Sequence, residues 1–119
     1  MLVAVDHVQL AAPAGSEPRL RAFHEGVLGM TEIPKPRVSA ARGGCRFAAG
    51  GVPLHLGVEA DGPARKAHPG LRASGIHDYA ARLEKRGAPV VRDGHLPGHR
   101  RFATQDPVGN RPEFPEPLE

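Results

Sequence analysis

The segment Asp106-Pro107-Val108-Gly109-Asn110-Arg111-Pro112-Glu113-Phe114 decides the fold, because it places a tight turn between two short strand candidates. Pro107 presets φ, and Gly109 or Asn110 can adopt a positive φ at little cost. The stretches on either side of the turn are short enough to be paired strands. The segment therefore predicts a hairpin that holds the Glu113 carboxylate at a fixed place on a sheet.

Length and composition favour a small protein built from short elements. The chain has 119 residues, of which 39% are hydrophobic, with 15 Gly and 13 Pro that follow no period. We expect one domain, residues 1–119, or two half-size modules that share a core. The single cysteine, Cys45, cannot form an internal disulfide and points to a reducing compartment. The first residues do not resemble a signal peptide and no apolar run could span a membrane, so we expect a cytoplasmic protein with no membrane partner.

The charge of the chain is mildly basic, with a net charge of +3 and a pI near 9.6. Its arginines are dispersed, and no basic run is interleaved with aromatic residues. We therefore expect no nucleic-acid partner and a mild preference for anionic ligands. A nucleic-acid or scaffold role remains as an alternative that only the pI supports.

The first module, residues 1–61, is predicted to contain a strand, a helix and three further strands. Alternation of apolar and polar residues at the start of the chain places His7 on one face of the first strand. A helix then runs from a Ser16 N-cap to a Gly29 C-cap. The three strands that follow end in one that carries His55.

The second module, residues 62–119, repeats this order. Its first strand carries His68, although a proline and a glycine interrupt it. An amphipathic helix and three more strands follow, and the last strand carries Glu113. The sequence therefore predicts an α+β fold of two βαβββ modules.

Four side chains of the ligand type occupy equivalent positions in the two modules. His7 and His55 lie on the first and last strands of one module, and His68 and Glu113 lie on those of the other. A pseudo-twofold axis between the modules would bring all four to one cleft. Two histidines and a carboxylate suit Fe(II), and three or four nitrogen and oxygen ligands also suit Zn(II), Ni(II) or Mn(II). The alternative is that these are ordinary hydrogen-bonded histidines, since the chain has 7 of them.

The remaining histidines are assigned to surface or loop roles. They are His24, His77, His95 and His99, of which His99 is also a candidate substrate contact in the cleft.

Four stretches together resemble the vicinal oxygen chelate superfamily, which contains glyoxalase I, bleomycin-resistance proteins and extradiol dioxygenases. The stretches are Val5-Asp-His-Val-Gln-Leu, Phe23-His-Glu-Gly-Val-Leu-Gly-Met, Leu54-His-Leu-Gly-Val-Glu and the closing segment quoted first. The resemblance implies a cupped mixed sheet around a divalent metal, commonly in a homodimer. By position, His7, His68 and Glu113 match the usual ligand triplet and His55 matches a fourth site. In this chain His24 stands where the helix motif usually has an aromatic residue.

Two functions are compatible with this resemblance. One is a divalent-metal-dependent lyase, isomerase or dioxygenase that uses Fe, Ni, Mn or Zn and has His55 and Glu113 as candidate catalytic groups. Its small-molecule substrate would chelate the metal through vicinal oxygens. The other is a metal-free protein of bleomycin-resistance type that binds an antibiotic or a metabolite. Candidate substrate contacts in either case are Arg46, Arg72 and Arg101. The sequence leaves open whether the modules pair within one chain or between two.

Overall fold

The computed structural model describes residues 1–92 and 97–118, and the chain divides into two compact units, Met1–Pro63 and Ala64–Glu119. Each unit combines its own sheet with helical segments, so the predicted α+β class is confirmed. No helix in the described ranges is both long enough and apolar enough to cross a membrane. The loop role predicted for His95 falls outside the described residues.

The first unit follows the predicted order of strand, helix and three strands, with one additional short helix. Its elements are β1 (Val8–Ala12), α1 (Glu17–Arg21), β2 (Thr31–Ile33), α2 (Arg37–Ala40), β3 (Cys45–Ala49) and β4 (Val52–Val58). The sheet order is β1-β4-β3-β2. Strand β1 runs parallel to β4, and the other pairs are antiparallel.

The helix that follows β1 changes its hydrogen-bond pattern partway along. Beyond α1 the chain forms a π-helical segment, Ala22–Val27, in which the Leu28 N–H donates to the Phe23 carbonyl at 3.0 Å. The helix ends before Gly29, whose φ of +80° agrees with the predicted C-cap. Ser16 occupies the N-cap position as predicted, but its side chain does not cap the helix, because its hydroxyl donates to the Pro13 carbonyl at 2.6 Å.

One face of this sheet is buried and the other carries polar side chains. The buried apolar residues of the unit include Leu20, Phe23, Leu28, Cys45, Phe47, Leu54 and Leu56. Because side chains alternate along a strand, burial of Leu54 and Leu56 places His55 on the opposite face of β4. This confirms the prediction that His55 and the leucines of β4 lie on opposite faces of the strand.

His24 belongs to the core of the first unit, and the surface role predicted for it is wrong. Its side chain is 1% exposed. Its Nδ1 lies 2.7 Å from the Leu20 carbonyl, and its ring stacks on Phe47 with centroids 4.6 Å apart. The imidazole thus fills a space suited to an aromatic ring, and its Nδ1 is hydrogen-bonded to the helix backbone.

The second unit contains α3 (Ile76–Lys85), β5 (Val91–Arg92), β6 (His99–Ala103) and β7 (Glu113–Pro117). The strands form an antiparallel sheet in the order β5-β6-β7. The strand predicted at the start of this unit is reduced to a parallel bridge between Gly70 and Glu113. The Leu71 N–H donates to the Glu113 carbonyl at 2.8 Å, and the Glu113 N–H donates to the Pro69 carbonyl at 3.0 Å. Since Pro69 has no N–H, the ladder cannot extend further through it.

Aromatic packing forms the core of the second unit. Phe102 of β6 lies opposite Phe114 of β7, with ring centroids 5.0 Å apart. Tyr79 of α3 meets Phe114 edge-on at 5.4 Å, and burial raises the pKa of its hydroxyl. Glu113, the neighbour of Phe114 in sequence, therefore lies on the other face of β7.

The turn between β6 and β7 is held by a buried carboxylate. Asp106 Oδ1 accepts from the Asn110 N–H at 2.7 Å and from the Val108 N–H at 3.1 Å. The Asn110 carboxamide donates to Asp106 Oδ2 at 3.0 Å. The positive φ falls on Gly109, at +103°. The predicted hairpin is confirmed.

Candidate functional site

Three neighbouring strands of the first unit place polar side chains in one row. Gln9 of β1 lies opposite His55 of β4, and Arg46 of β3 lies opposite the same histidine from the other side. Side chains at paired positions share a face, so the row runs across β1, β4 and β3. His7, two residues before Gln9, stacks its ring on His55 with centroids 4.2 Å apart and 18° between the planes. The structure thus brings together the two ligand candidates of the first module.

A neighbouring carboxylate fixes the tautomer of His7. His7 Nδ1 lies 2.9 Å from Asp6 Oδ2, and this hydrogen bond is the main reason that the pKa of Asp6 is lowered. An ionised carboxylate only accepts hydrogen bonds, so the ring proton is on Nδ1. Nε2 therefore presents its lone pair, as in the carboxylate–histidine–metal arrangement of metalloproteins.

His55 is biased toward the uncharged form. Partial burial is the main cause of its lowered pKa, and the charge of Arg46 adds to the effect. Neutral imidazole is the form that coordinates a metal or accepts a proton. The row of polar side chains therefore offers a nitrogen lone pair at this position.

The second unit contains the other candidate pair. His68 Nε2 lies 3.3 Å from Glu113 Oε2, and His68 Nδ1 lies 2.8 Å from the Lys66 carbonyl. A carbonyl oxygen cannot donate, so Nδ1 carries the proton and Nε2 faces the carboxylate. Glu113 Oε1 accepts from the Arg101 guanidinium at 3.1 Å. A lone pair on Nε2 and a carboxylate oxygen at this distance repel each other unless a proton or a metal cation lies between them.

The two pairs occupy equivalent register positions. His7 precedes by two residues Gln9, which lies opposite His55. His68 precedes by two residues Gly70, which lies opposite Glu113. In both units, then, a histidine reaches diagonally toward the partner side chain on the last strand. The two residues of each pair are separated by similar distances in the sequence, and in the structure each pair has the same arrangement in register.

The three arginines named as substrate contacts lie in different surroundings. Arg46 is half-buried in the row of the first unit. Arg101 is paired with Glu113, so its immediate role is to orient that carboxylate. Arg72 is exposed. Of the three, Arg46 has the surroundings of a ligand contact.

Within residues 1–92 and 97–118, no three His, Cys, Asp or Glu side chains group together in the manner of a metal centre. The structure brings the four candidates together as two pairs, and the four-residue ligand set stays a prediction. The donor chemistry fits a divalent transition metal: imidazole Nε2 atoms whose Nδ1 atoms are already bonded, together with a carboxylate.

Sequence reasoning missed the two groups that orient the histidines. Asp6 directly precedes His7, and a carboxylate beside a candidate ligand is a signal that could have identified it. The Lys66 carbonyl is a backbone group and has no residue-type signal. Its role depends on the path of the chain before His68.

Comparison with known proteins identifies the family. A model of the glyoxalase-like domain matches residues 7–114. A search of curated proteins finds no match. A solved structure from Bacillus anthracis, assigned to the glyoxalase family, is 43% identical and covers 98% of this chain and 97% of its own, with a TM-score of 0.95.

Two more distant structures share the fold. TnmS3, an antibiotic binding protein from Streptomyces sp. CB03234, is 23% identical, with coverages of 98% and 99% and a TM-score of 0.75. A lactoylglutathione lyase from Agrobacterium tumefaciens is 19% identical, with coverages of 95% and 92% and a TM-score of 0.70. One is a binding protein and the other an enzyme, so the shared fold does not decide between these functions. The chain belongs to the glyoxalase-like family of the vicinal oxygen chelate superfamily.

Proposed function

We propose that this protein is a divalent-metal-dependent enzyme of glyoxalase or dioxygenase type that works as a homodimer. His7, His68 and Glu113 hold the metal, and His55 is a fourth ligand or the general base. The substrate is a small molecule that chelates through two vicinal oxygens. A bound divalent ion would supply Lewis-acid polarisation of those oxygens.

The main support for this proposal is the position of His68 Nε2 directly opposite Glu113 Oε2. The two atoms are 3.3 Å apart, while the other ring nitrogen is fixed on the Lys66 carbonyl at 2.8 Å. A position between a nitrogen lone pair and a carboxylate oxygen attracts a cation. His7, with Nδ1 on Asp6, presents the same kind of donor.

The chain's own groups supply orientation and proton transfer. Arg101 holds Glu113 through Oε1 at 3.1 Å, which leaves Oε2 directed at His68. The lowered pKa of His55 keeps its ring ready to take a proton from a carbon next to a carbonyl group. Asp6 stabilises one tautomer of His7.

Metal analysis tests this function directly. Protein purified without an affinity tag is analysed as isolated and after addition of Fe(II), Ni(II), Mn(II) or Zn(II), followed by desalting. We expect about one equivalent per chain, because the proposed ligands occur once in each chain. His68→Ala should remove most of it. His77→Ala is the matched control, since His77 is an exposed histidine of the same unit outside the pair.

Far less than one equivalent in the unsubstituted protein, with no binding of added metal, would contradict the proposal. Equal loss in the two variants would show that metal binds nonspecifically to surface histidines.

The alternative is a metal-free binding protein in which the same side chains contact a small molecule without reaction. The half-buried Arg46 beside His55 favours it. A thermal-shift panel of antibiotics and metabolites on metal-stripped protein separates the two functions. Stabilisation by a compound to the same extent with and without added metal supports binding, and stabilisation that increases when metal is added supports the enzyme.

A further inference from the structure

A cavity of about 180 Å³ lies beside His55 on the first unit. Three positively charged side chains contribute to its lining, and the row on the sheet supplies one wall. The residues that line it include Gln9, Lys35, Arg42, Arg46, His55 and Gly57. The Gln9 side chain lies over Gly57 because that residue has no side chain. The Gln9 Nε2 is 2.5 Å from the position that a Cβ at residue 57 would occupy.

The charged side chains that line this cavity are all positive. None of the described residues that line it is acidic. Arg42 and Arg46 have no carboxylate partner in the part of the chain that the structure describes. Lys35 donates to the Gly43 carbonyl, which leaves two of its three ammonium N–H groups for other acceptors.

One carboxylate, Glu17, lies near the cavity, and its negative charge interacts with that of Lys35. Glu17 Oε2 accepts from the Gly44 N–H at 2.8 Å, and this backbone hydrogen bond is the main cause of its lowered pKa. Its oxygen is thus used to hold the turn that enters β3.

Arg46 is placed on a rigid element. Strand β3 lies inside the sheet, between β4 and β2, and the side chain is half-buried opposite His55. A guanidinium held in this way binds carboxylate or phosphate oxygens with two parallel hydrogen bonds and loses little conformational entropy.

We propose that this cavity binds an anionic group of the substrate, a phosphate, phosphonate or carboxylate, beside His55. Arg46 is the main contact, and Lys35 and Arg42 add charge. That the bound molecule is a substrate rests on the proposed function, whereas binding of the anion itself requires no metal. The substrate class is therefore a small oxyanion-bearing molecule whose vicinal oxygens lie next to its charged group.

The test measures anion binding to metal-stripped, desalted protein at low ionic strength. Inorganic phosphate, methylphosphonate and acetate are titrated while backbone amide signals are followed by NMR. The neutral ester dimethyl methylphosphonate is the uncharged control. The three anions distinguish a site for phosphate or phosphonate from one for carboxylate.

We expect saturable shifts at the amides of Gly43 and Gly57 with at least one anion and none with the neutral ester. Arg46→Ala should weaken binding by about tenfold or more, because it removes a charge-assisted pair of hydrogen bonds. Arg42→Ala, a substitution at an exposed turn, should weaken it less while leaving the fold intact. Arg19→Ala changes the net charge equally on the exposed side of α1 and should leave the affinity within about twofold.

The proposal is overturned if no anion gives saturable shifts at these amides, or if Arg19→Ala weakens binding as much as Arg46→Ala. His68→Ala separates this inference from the metal proposal. Anion binding that survives in His68→Ala supports the cavity whether or not metal is bound, and its loss there would contradict a site confined to the first unit.

Discussion

His68 Nε2 lies 3.3 Å from Glu113 Oε2, with the opposite ring nitrogen bonded to a backbone carbonyl. The pair of His7 and His55 occupies the equivalent register position in the first unit, where the two rings stack. In each unit the first histidine has its Nδ1 bonded to an acceptor that fixes the tautomer. Residues that only orient a ligand should therefore influence metal affinity.

Asp6→Asn tests this orientation. The amide preserves the size of the side chain but can present N–H₂ to His7, which favours the wrong tautomer. We expect metal affinity to fall by about 10- to 100-fold with little change in stability. Calorimetric titration with Ni(II) gives the affinity. Asp61→Asn, at an exposed position of the same unit, is the control, and an equal loss there would contradict an orienting role for Asp6.

The sequence predicted the strand faces because they follow local periodicity. Alternation along β4 puts Leu54 inside and His55 outside, and no tertiary contact needs to be known for this. The turn at Gly109 is equally local, since it depends on which residues tolerate a positive φ.

The features that were missed depend on contacts between distant residues. His24 is buried because Phe47, far along the chain, offers its ring a stacking partner. The π-helical hydrogen bond to Phe23 and the Lys66 carbonyl at His68 involve backbone groups, which carry no residue-type signal. The sole hint for His24 was its position where relatives have an aromatic residue.

Cys45 should be unreactive while the protein is folded. Its thiol is 1% exposed, and burial raises its pKa to about 11. At pH 8 only about one thiol in a thousand is then ionised, and the thiolate is the reactive form. We expect iodoacetamide to label Cys45 only after unfolding in guanidinium, as followed by mass spectrometry. Rapid labelling of the native protein would contradict its burial.

Glu116 should stabilise the start of α3. Its carboxylate accepts from the Gly75 N–H at 2.8 Å and from the Ile76 N–H at 3.2 Å, while the helix has no side-chain cap of its own. Glu116→Ala should lower the free energy of unfolding by about 1–2 kcal/mol, since it removes two capping bonds and a charge at the positive end of the helix. Urea unfolding measures this. The exposed Glu59 provides the control Glu59→Ala, for which we expect almost no change.

Gly44 and Gly50 should differ sharply when replaced by alanine. Both have a positive φ, of +83° and +56°. A Cβ at Gly44 would lie 2.2 Å from the Leu56 carbonyl oxygen, whereas nothing lies within 4 Å of one at Gly50. Gly50→Ala should cost about 1 kcal/mol for the backbone conformation alone, and Gly44→Ala about 3 kcal/mol because β3 must also move away from β4. Equal effects in urea unfolding would show that the close approach is absent.

The pH dependence of stability should reveal the bond between Glu17 and the Gly44 N–H. That bond is the main cause of the lowered pKa of Glu17 in the folded protein. A carboxylate with a lowered folded pKa stabilises the protein above its unfolded pKa, and this stabilisation is lost as the pH falls through the folded value. Glu17→Gln should therefore reduce the free energy of unfolding at pH 7, and the difference from the unsubstituted protein should shrink as the pH is lowered below about 4.3, the usual pKa of a glutamate. Urea unfolding at pH 7, 5, 4 and 3 measures the difference between the two proteins. A difference that grows toward low pH would have the wrong sign and would rule out the folded-state bond as its cause.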